Sequence, residues 1–235
     1  MHLYRILIIA ITLASSCMTW AQEPQPMVDC QLSLYYVGGR ARGAQAVAQE
    51  GERASETLYY STNGQMKGVT IKSGQRTPEF SYVGPLEFKL YRKTGTDNVG
   101  QPIYSPVGKY QLLPGIRRMM ISMIDQGTRF SLIPIDLSKA QEQKNNALIF
   151  NLSSMPIVCQ AGEKQFNLDP LQSKTISLSS VKSDLQFEIK CAIQVDNEWS
   201  LVYSGSQTIR KGNYYVFLLM PDDDGKTYRI VRFRT

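Results

Sequence analysis

The chain repeats itself, and that repetition constrains the fold more than any other feature of the sequence. Sliding residues 86–105 onto residues 185–204 without a gap, an offset of 99, superposes Leu86 on Leu185, Phe88 on Phe187, Asp97 on Asp196, Asn98 on Asn197, Tyr104 on Tyr203 and Ser105 on Ser204. Six identities in these twenty positions stand against roughly one expected from composition. After a small gap the likeness continues, with Gly127 meeting Gly225, Phe130 meeting Tyr228, Leu132 meeting Ile230 and Ile135 meeting Phe233. Upstream, Leu58-Tyr59-Tyr60 is aligned with Leu148-Ile149-Phe150. The chain therefore reads as two copies of one unit, residues 56–138 and 147–235, joined by a short polar segment, Ser138 to Asn146, that is expected to be exposed.

The matched segments have the pattern of strands. Leu-Glu-Phe-Lys-Leu at 86–90 and Leu-Gln-Phe-Glu-Ile at 185–189 alternate apolar with polar, as a half-buried strand requires. Asn63-Gly64, Asp196-Asn197, Gly212-Asn213 and Asp224-Gly225 are tight-turn dipeptides between apolar or aromatic runs. No long stretch carries the three-to-four-residue apolar period of a core helix. About seven short strands in about 90 residues is the rhythm of an immunoglobulin-like sandwich, so the sequence predicts an all-β chain of two tandem sandwiches. Residues 22–55 have no counterpart in the second copy. Gln31–Val37 reads as a strand that either completes the first sandwich or swaps onto a neighbouring copy, and residues 38–55 as a flexible segment or short helix.

Residues 1–21 have the three parts of a secretory signal peptide: Arg5, the apolar stretch Ile6–Ala14, and small residues ending at Ala21. The expectation is a secreted or periplasmic protein with no transmembrane segment in its mature form. The alternative is lipid attachment at Cys17, which would tether it to a bacterial membrane. The one histidine, His2, falls in the leader, which excludes histidine bases and histidine metal ligands from the mature chain. The net charge of +6 is scattered along the chain, a poor footprint for nucleic acid. Export also permits disulfides. Cys159 and Cys191 share strand parity with core positions and are read as a bridge or as two buried thiols, with Cys30 left over.

No constellation in the sequence singles out a catalytic site. Asp222-Asp223-Asp224 lacks the alternating spacing of a calcium loop and reads as a hairpin turn. Ser179–Lys182 and Lys93-Thr94-Gly95 imitate elements of penicillin-binding enzymes in reversed order and are taken as coincidence. Asp97-Asn98 and Asp196-Asn197 are explained by turns. Asn151-Leu152-Ser153 matches a glycan acceptor. No enzyme activity, cofactor or metal is expected. Three tyrosine doublets place one ring of each pair outward if they lie in strands, and Tyr36, Tyr60 and Tyr215 are the candidate binding residues.

A leader followed by two strand-rich copies resembles secreted bacterial proteins built from tandem immunoglobulin-like domains. The resemblance implies a non-enzymatic envelope or surface protein that binds another protein or a polysaccharide through a sheet face or an open edge strand. Two other classes are distinguishable by structure. A pilus-type periplasmic chaperone would show a cleft between the domains lined by Arg or Lys, beside an apolar edge strand. A cell-wall hydrolase would show two close carboxylates in a groove, whereas an exposed row of tyrosines would favour carbohydrate binding.

Overall fold

A computed structural model describes residues 26–37, 55–140, 142–178, 186–222 and 225–235. The leader with Cys17, the 38–54 segment, Ser179–Lys182, Leu185, Asp223 and Asp224 lie outside the described residues. The described chain is all β. No helix in it is long and apolar enough to cross a membrane.

The first eight strands are β1 (Met27–Val37), β2 (Ser55–Thr62), β3 (Gln65–Lys72), β4 (Phe80–Pro85), β5 (Glu87–Thr96), β6 (Pro102–Gln111), β7 (Arg118–Asp125) and β8 (Phe130–Asp136). The next eight are β9 (Asn146–Asn151), β10 (Ile157–Ala161), β11 (Lys164–Leu168), β12 (Ser173–Ser177), β13 (Gln186–Val195), β14 (Glu198–Thr208), β15 (Tyr214–Pro221) and β16 (Tyr228–Arg234). They form four four-stranded sheets: β3-β2-β5-β6 and β4-β1-β7-β8 in the first sandwich, β12-β9-β15-β16 and β11-β10-β13-β14 in the second. Each strand of the first set has a partner eight places on, in the same sheet position. Both sets also contain the same parallel contact, β1 with β7 and β9 with β15. The constant-type immunoglobulin order, strands 1, 2, 5 and 4 facing 3, 6 and 7, is not the order found.

The equivalence supports most of the sequence alignment and corrects its upstream end. Phe88 and Leu90 face the first core as Phe187 and Ile189 face the second. Phe130 and Tyr228 open β8 and β16 and are both buried, and Gly127 and Gly225 both take positive φ (84° and 66°) in the preceding hairpin turns. Leu148–Phe150, however, lies in β9, whose counterpart is β1. Paired strands match Leu34 with Ile121 and Ile149 with Phe217, so Leu148–Phe150 corresponds to Ser33–Tyr35 rather than to Leu58–Tyr60. The Gln31–Val37 strand is thus a central member of the first sandwich, hydrogen-bonded between β4 and β7.

The two sandwiches are stacked through their inner sheets. Successive side chains of a strand point to opposite faces, so Met119, Ile121 and Met123 of β7 enter the first core while Met120 enters a further apolar layer. That middle layer also takes Tyr35, Ile133 and Ile135 from the first sandwich and Leu148, Phe150, Val216 and Leu218 from the second. The rings of Tyr35 and Phe233 meet edge-on across it, with centroids 4.9 Å apart. A strand covered on both faces needs apolar residues at nearly every position, which explains the unbroken run Tyr214–Met220. Ser122 interrupts the corresponding apolar run of β7, and its Oγ is buried with no hydrogen-bond partner among the described residues. The connecting segment departs from expectation at Ala140, which is buried in the middle layer. The architecture is therefore four sheets enclosing three apolar layers.

Candidate ligand-binding face

The outer sheet of the first sandwich carries a row of outward tyrosines, at residues other than Tyr36, Tyr60 and Tyr215. Leu58 and Tyr60 of β2 point into the core, which turns Tyr59 outward. Tyr59 pairs across the sheet with Gly68 on one side and Tyr91 on the other, and Tyr91 pairs with Pro106. The row Gly68, Tyr59, Tyr91, Pro106 thus crosses all four strands. Tyr104 packs its ring on Tyr59, with centroids 5.0 Å apart and planes tilted by 59°. Gly68 leaves room for Tyr59 to lie over β3, since a Cβ there would sit 3.5 Å from the Tyr59 ring and 3.3 Å from Thr57 Cγ2. All three rings are partly buried. Their hydroxyls make no hydrogen bond to the described residues, so donors and acceptors remain open.

Cations flank the row. Lys93 is the cross-strand partner of Tyr104, and Lys89 of Lys109. Glu87 holds both Lys89 (2.5 Å) and Lys109 (3.3 Å). The hydrogen bond from Lys89 keeps the Glu87 carboxyl below the usual carboxylate range. Beside the row, the gap between the edge strands β6 and β8 opens into a groove of about 650 Å³, with Tyr91 and Pro106 on one wall and Arg129 and Phe130 on the other. Glu87 is the one acid in its lining.

The sequence-derived binding residues occupy other places. Tyr60 is 4% exposed, its ring 4.6 Å from that of Phe80 in the first core. Tyr215 is 3% exposed in the second core, where its hydroxyl accepts the Arg210 backbone N–H at 2.6 Å. Neither ring is at the surface. In the Tyr59–Tyr60 doublet the outward member is the other one. In the Tyr214–Tyr215 doublet both rings are buried, because β15 lies between two apolar layers. Tyr36 sits at the rim of the first core, edge-on to Phe130, and donates to Asp125 Oδ2 at 3.1 Å. Burial, and then that hydrogen bond, push its pKa up to about 12, so it remains a protonated donor. Next to it, Arg92 grips Glu56 through two hydrogen bonds of 2.5 and 3.0 Å.

Other sequence signals resolve into structure. Asn151 is fully buried; its Nδ2 donates to the carbonyls of Met155, Leu168 and Asp169, and its Oδ1 accepts from Ser153 N and Oγ. It pins the β9–β10 loop to the β11–β12 loop and is inaccessible in the folded chain. Asp196 and Asn197, both at positive φ, form the two-residue β13–β14 turn. Asp97 caps a longer one by accepting Val99 N and Gln101 N. The carboxylate of Asp222 lies beside Thr227 and Arg229 in the β15–β16 hairpin. Among the described residues no three acids, cysteines or histidines are grouped to hold a metal. The cleft between the sandwiches, of about 320 Å³, contains Lys139 and Asp136 and no arginine. Cys159 and Cys191 are directly opposed across β10 and β13, with sulfurs 3.0 Å apart, and are thiols in this structure.

The chain matches no protein-family model, and no curated protein matches it in sequence.

Proposed function

We propose that this is an exported, non-enzymatic envelope or surface protein that binds a polysaccharide along the Tyr59–Tyr91–Tyr104 face. The observation that carries the reading is the row of outward rings with open hydroxyls beside a groove. Aromatic faces supply apolar contact to the hydrogen-bearing faces of sugar rings, and the phenol tip supplies a polar handle. The flanking Lys93, Lys109 and Arg129 favour chains that carry acidic groups. Export rests on the leader, with cleavage after Ala21 or, alternatively, lipid attachment at Cys17.

Binding to immobilised alginate, dextran and insoluble peptidoglycan tests this directly. Tyr91→Ala should weaken the favoured interaction by roughly 5- to 30-fold, as loss of a contact worth about 1–2 kcal/mol requires, while leaving the melting temperature within a few degrees. Equal binding by the wild type and by Tyr59→Ala, Tyr91→Ala and Tyr104→Ala would refute the assignment.

A second reading, a protein partner, is favoured by the β14 edge. Trp199 and Leu201 are 61% and 63% exposed there, and the strand has no proline, whereas its counterpart β6 has Pro102 and Pro106. Edge prolines interrupt the hydrogen-bonding row that a foreign strand would use. Trp199→Lys would abolish a strand-mediated complex and leave polysaccharide binding unchanged.

A further inference from the structure

The three cysteines of the described chain are distributed so that one pairing is possible. Cys159 and Cys191 are register partners on the two central strands of the outermost sheet, and both lie in the second core. Cys30 is buried in the first core, on the far side of the middle layer. Their sulfurs, at 3.0 Å, need to approach by about 1 Å to reach the bonded separation of ~2.05 Å. Directly opposed residues of an antiparallel pair already have their Cβ atoms close together, so that approach needs side-chain adjustment rather than strand movement. We propose that Cys159 and Cys191 form a disulfide that staples β10 to β13, leaving Cys30 as a thiol.

The electrons pass to a small disulfide donor such as oxidised glutathione. One cysteine thiolate attacks a donor sulfur, forming a mixed disulfide and releasing one donor thiol. The second protein thiolate then attacks the protein sulfur and expels the other donor thiol. Two protein S–H bonds are lost, one S–S bond is gained, and the donor is reduced to two thiols. In the folded chain both sulfurs are shut away from solvent. The hydrogen bond with Cys159, together with burial, also holds the Cys191 proton more tightly than in a free thiol. Exchange therefore belongs to the stage before β10 and β13 close. Cys30 is a poor competitor because it belongs to the first core, with the middle layer between it and the other two sulfurs.

The test is to refold the full chain in a mixture of oxidised and reduced glutathione, denature it without reductant, alkylate it with iodoacetamide and map the peptides. The expected product carries one alkyl group, on Cys30, and a linked peptide pair containing Cys159 and Cys191. Its melting temperature should fall on the order of 10 °C when reductant is added, from the loss of a loop constraint of some thirty residues. Cys159→Ala/Cys191→Ala, which keeps small apolar groups in the core, should melt with the reduced wild type and ignore reductant. Three alkylated cysteines, or a link that includes Cys30, would overturn the proposal.

Discussion

Leu218 tests whether the sandwiches are stacked as four layers or merely strung together. It is fully buried, but its surroundings are the middle layer, half of which belongs to the other sandwich. Its neighbour Phe217, equally buried, faces the second core alone. Truncation to alanine removes transfer energy and leaves a cavity, so Leu218→Ala should cost about 2–5 kcal/mol and Phe217→Ala about 3–5 kcal/mol. For a chain of this size each kilocalorie shifts the midpoint by roughly 2–4 °C, giving a fall of about 4–20 °C for Leu218→Ala. Leu201→Ala, at the exposed edge, is the control and should stay within about 0.5 kcal/mol. Thermal unfolding followed by circular dichroism measures all three. If Leu218→Ala behaves like Leu201→Ala, residue 218 faces water and the stacking argument fails.

Asn151→Ala should cost on the order of 1–3 kcal/mol, since it strands several buried backbone groups at once, and calorimetry would show this as a fall of several degrees. Tyr36→Phe, which deletes only the bond to Asp125, should cost about 0.5–1.5 kcal/mol in the same assay. Glu79 is pushed up by burial, but hydrogen bonds and charge from Arg118 and Arg76 outweigh this and bring its pKa below the ordinary value of 4.5. A depressed acid stabilises the fold above its unfolded pKa, and that contribution is lost as pH falls through the folded value. The melting temperature of Glu79→Gln should therefore fall less than that of the wild type between pH 5 and pH 3. Gly127→Ala, at a φ of 84° with nothing within 4 Å of the added Cβ, should destabilise the β7–β8 hairpin through backbone strain alone, by about 1 kcal/mol in denaturant melts.

The parts of the fold legible in the sequence were those written in two-residue periods and in turn chemistry. The alternation around Phe88 and Phe187 gave inward and outward faces correctly, and Asn63-Gly64, at φ of 49° and 73°, forms the β2–β3 turn its dipeptide implied. The equivalence of β1 and β9 was hidden because Ser33-Leu34-Tyr35 and Leu148-Ile149-Phe150 share no identical residue, although Leu34 and Ile149 do equivalent work. The middle layer left a trace in the unbroken apolar run of β15, a sign of two-sided burial. Enrichment in strand-forming residues masked its meaning. The tyrosine face was half legible: choosing the ring out of phase with Leu58 would have selected Tyr59, and the phase of Glu87 and Lys89 points to Tyr91. Tyr104 was not recoverable, because the β-bulge between β5 and β6 resets the phase.

The parallel contacts of β1 with β7 and of β9 with β15 have a consequence for synthesis. In each sandwich the earliest strand lies between the fourth and the seventh, so the inner sheet waits for a segment made some 70 to 90 residues later. Long-range closures of this kind slow folding. As the polypeptide leaves the ribosome, the β2–β3 and β5–β6 hairpins can form early while β1 stays half-partnered. Each half is then committed to its final shape only when its penultimate strand emerges, and an interrupted or truncated translation product would expose a sticky, unfinished sheet to chaperones and proteases.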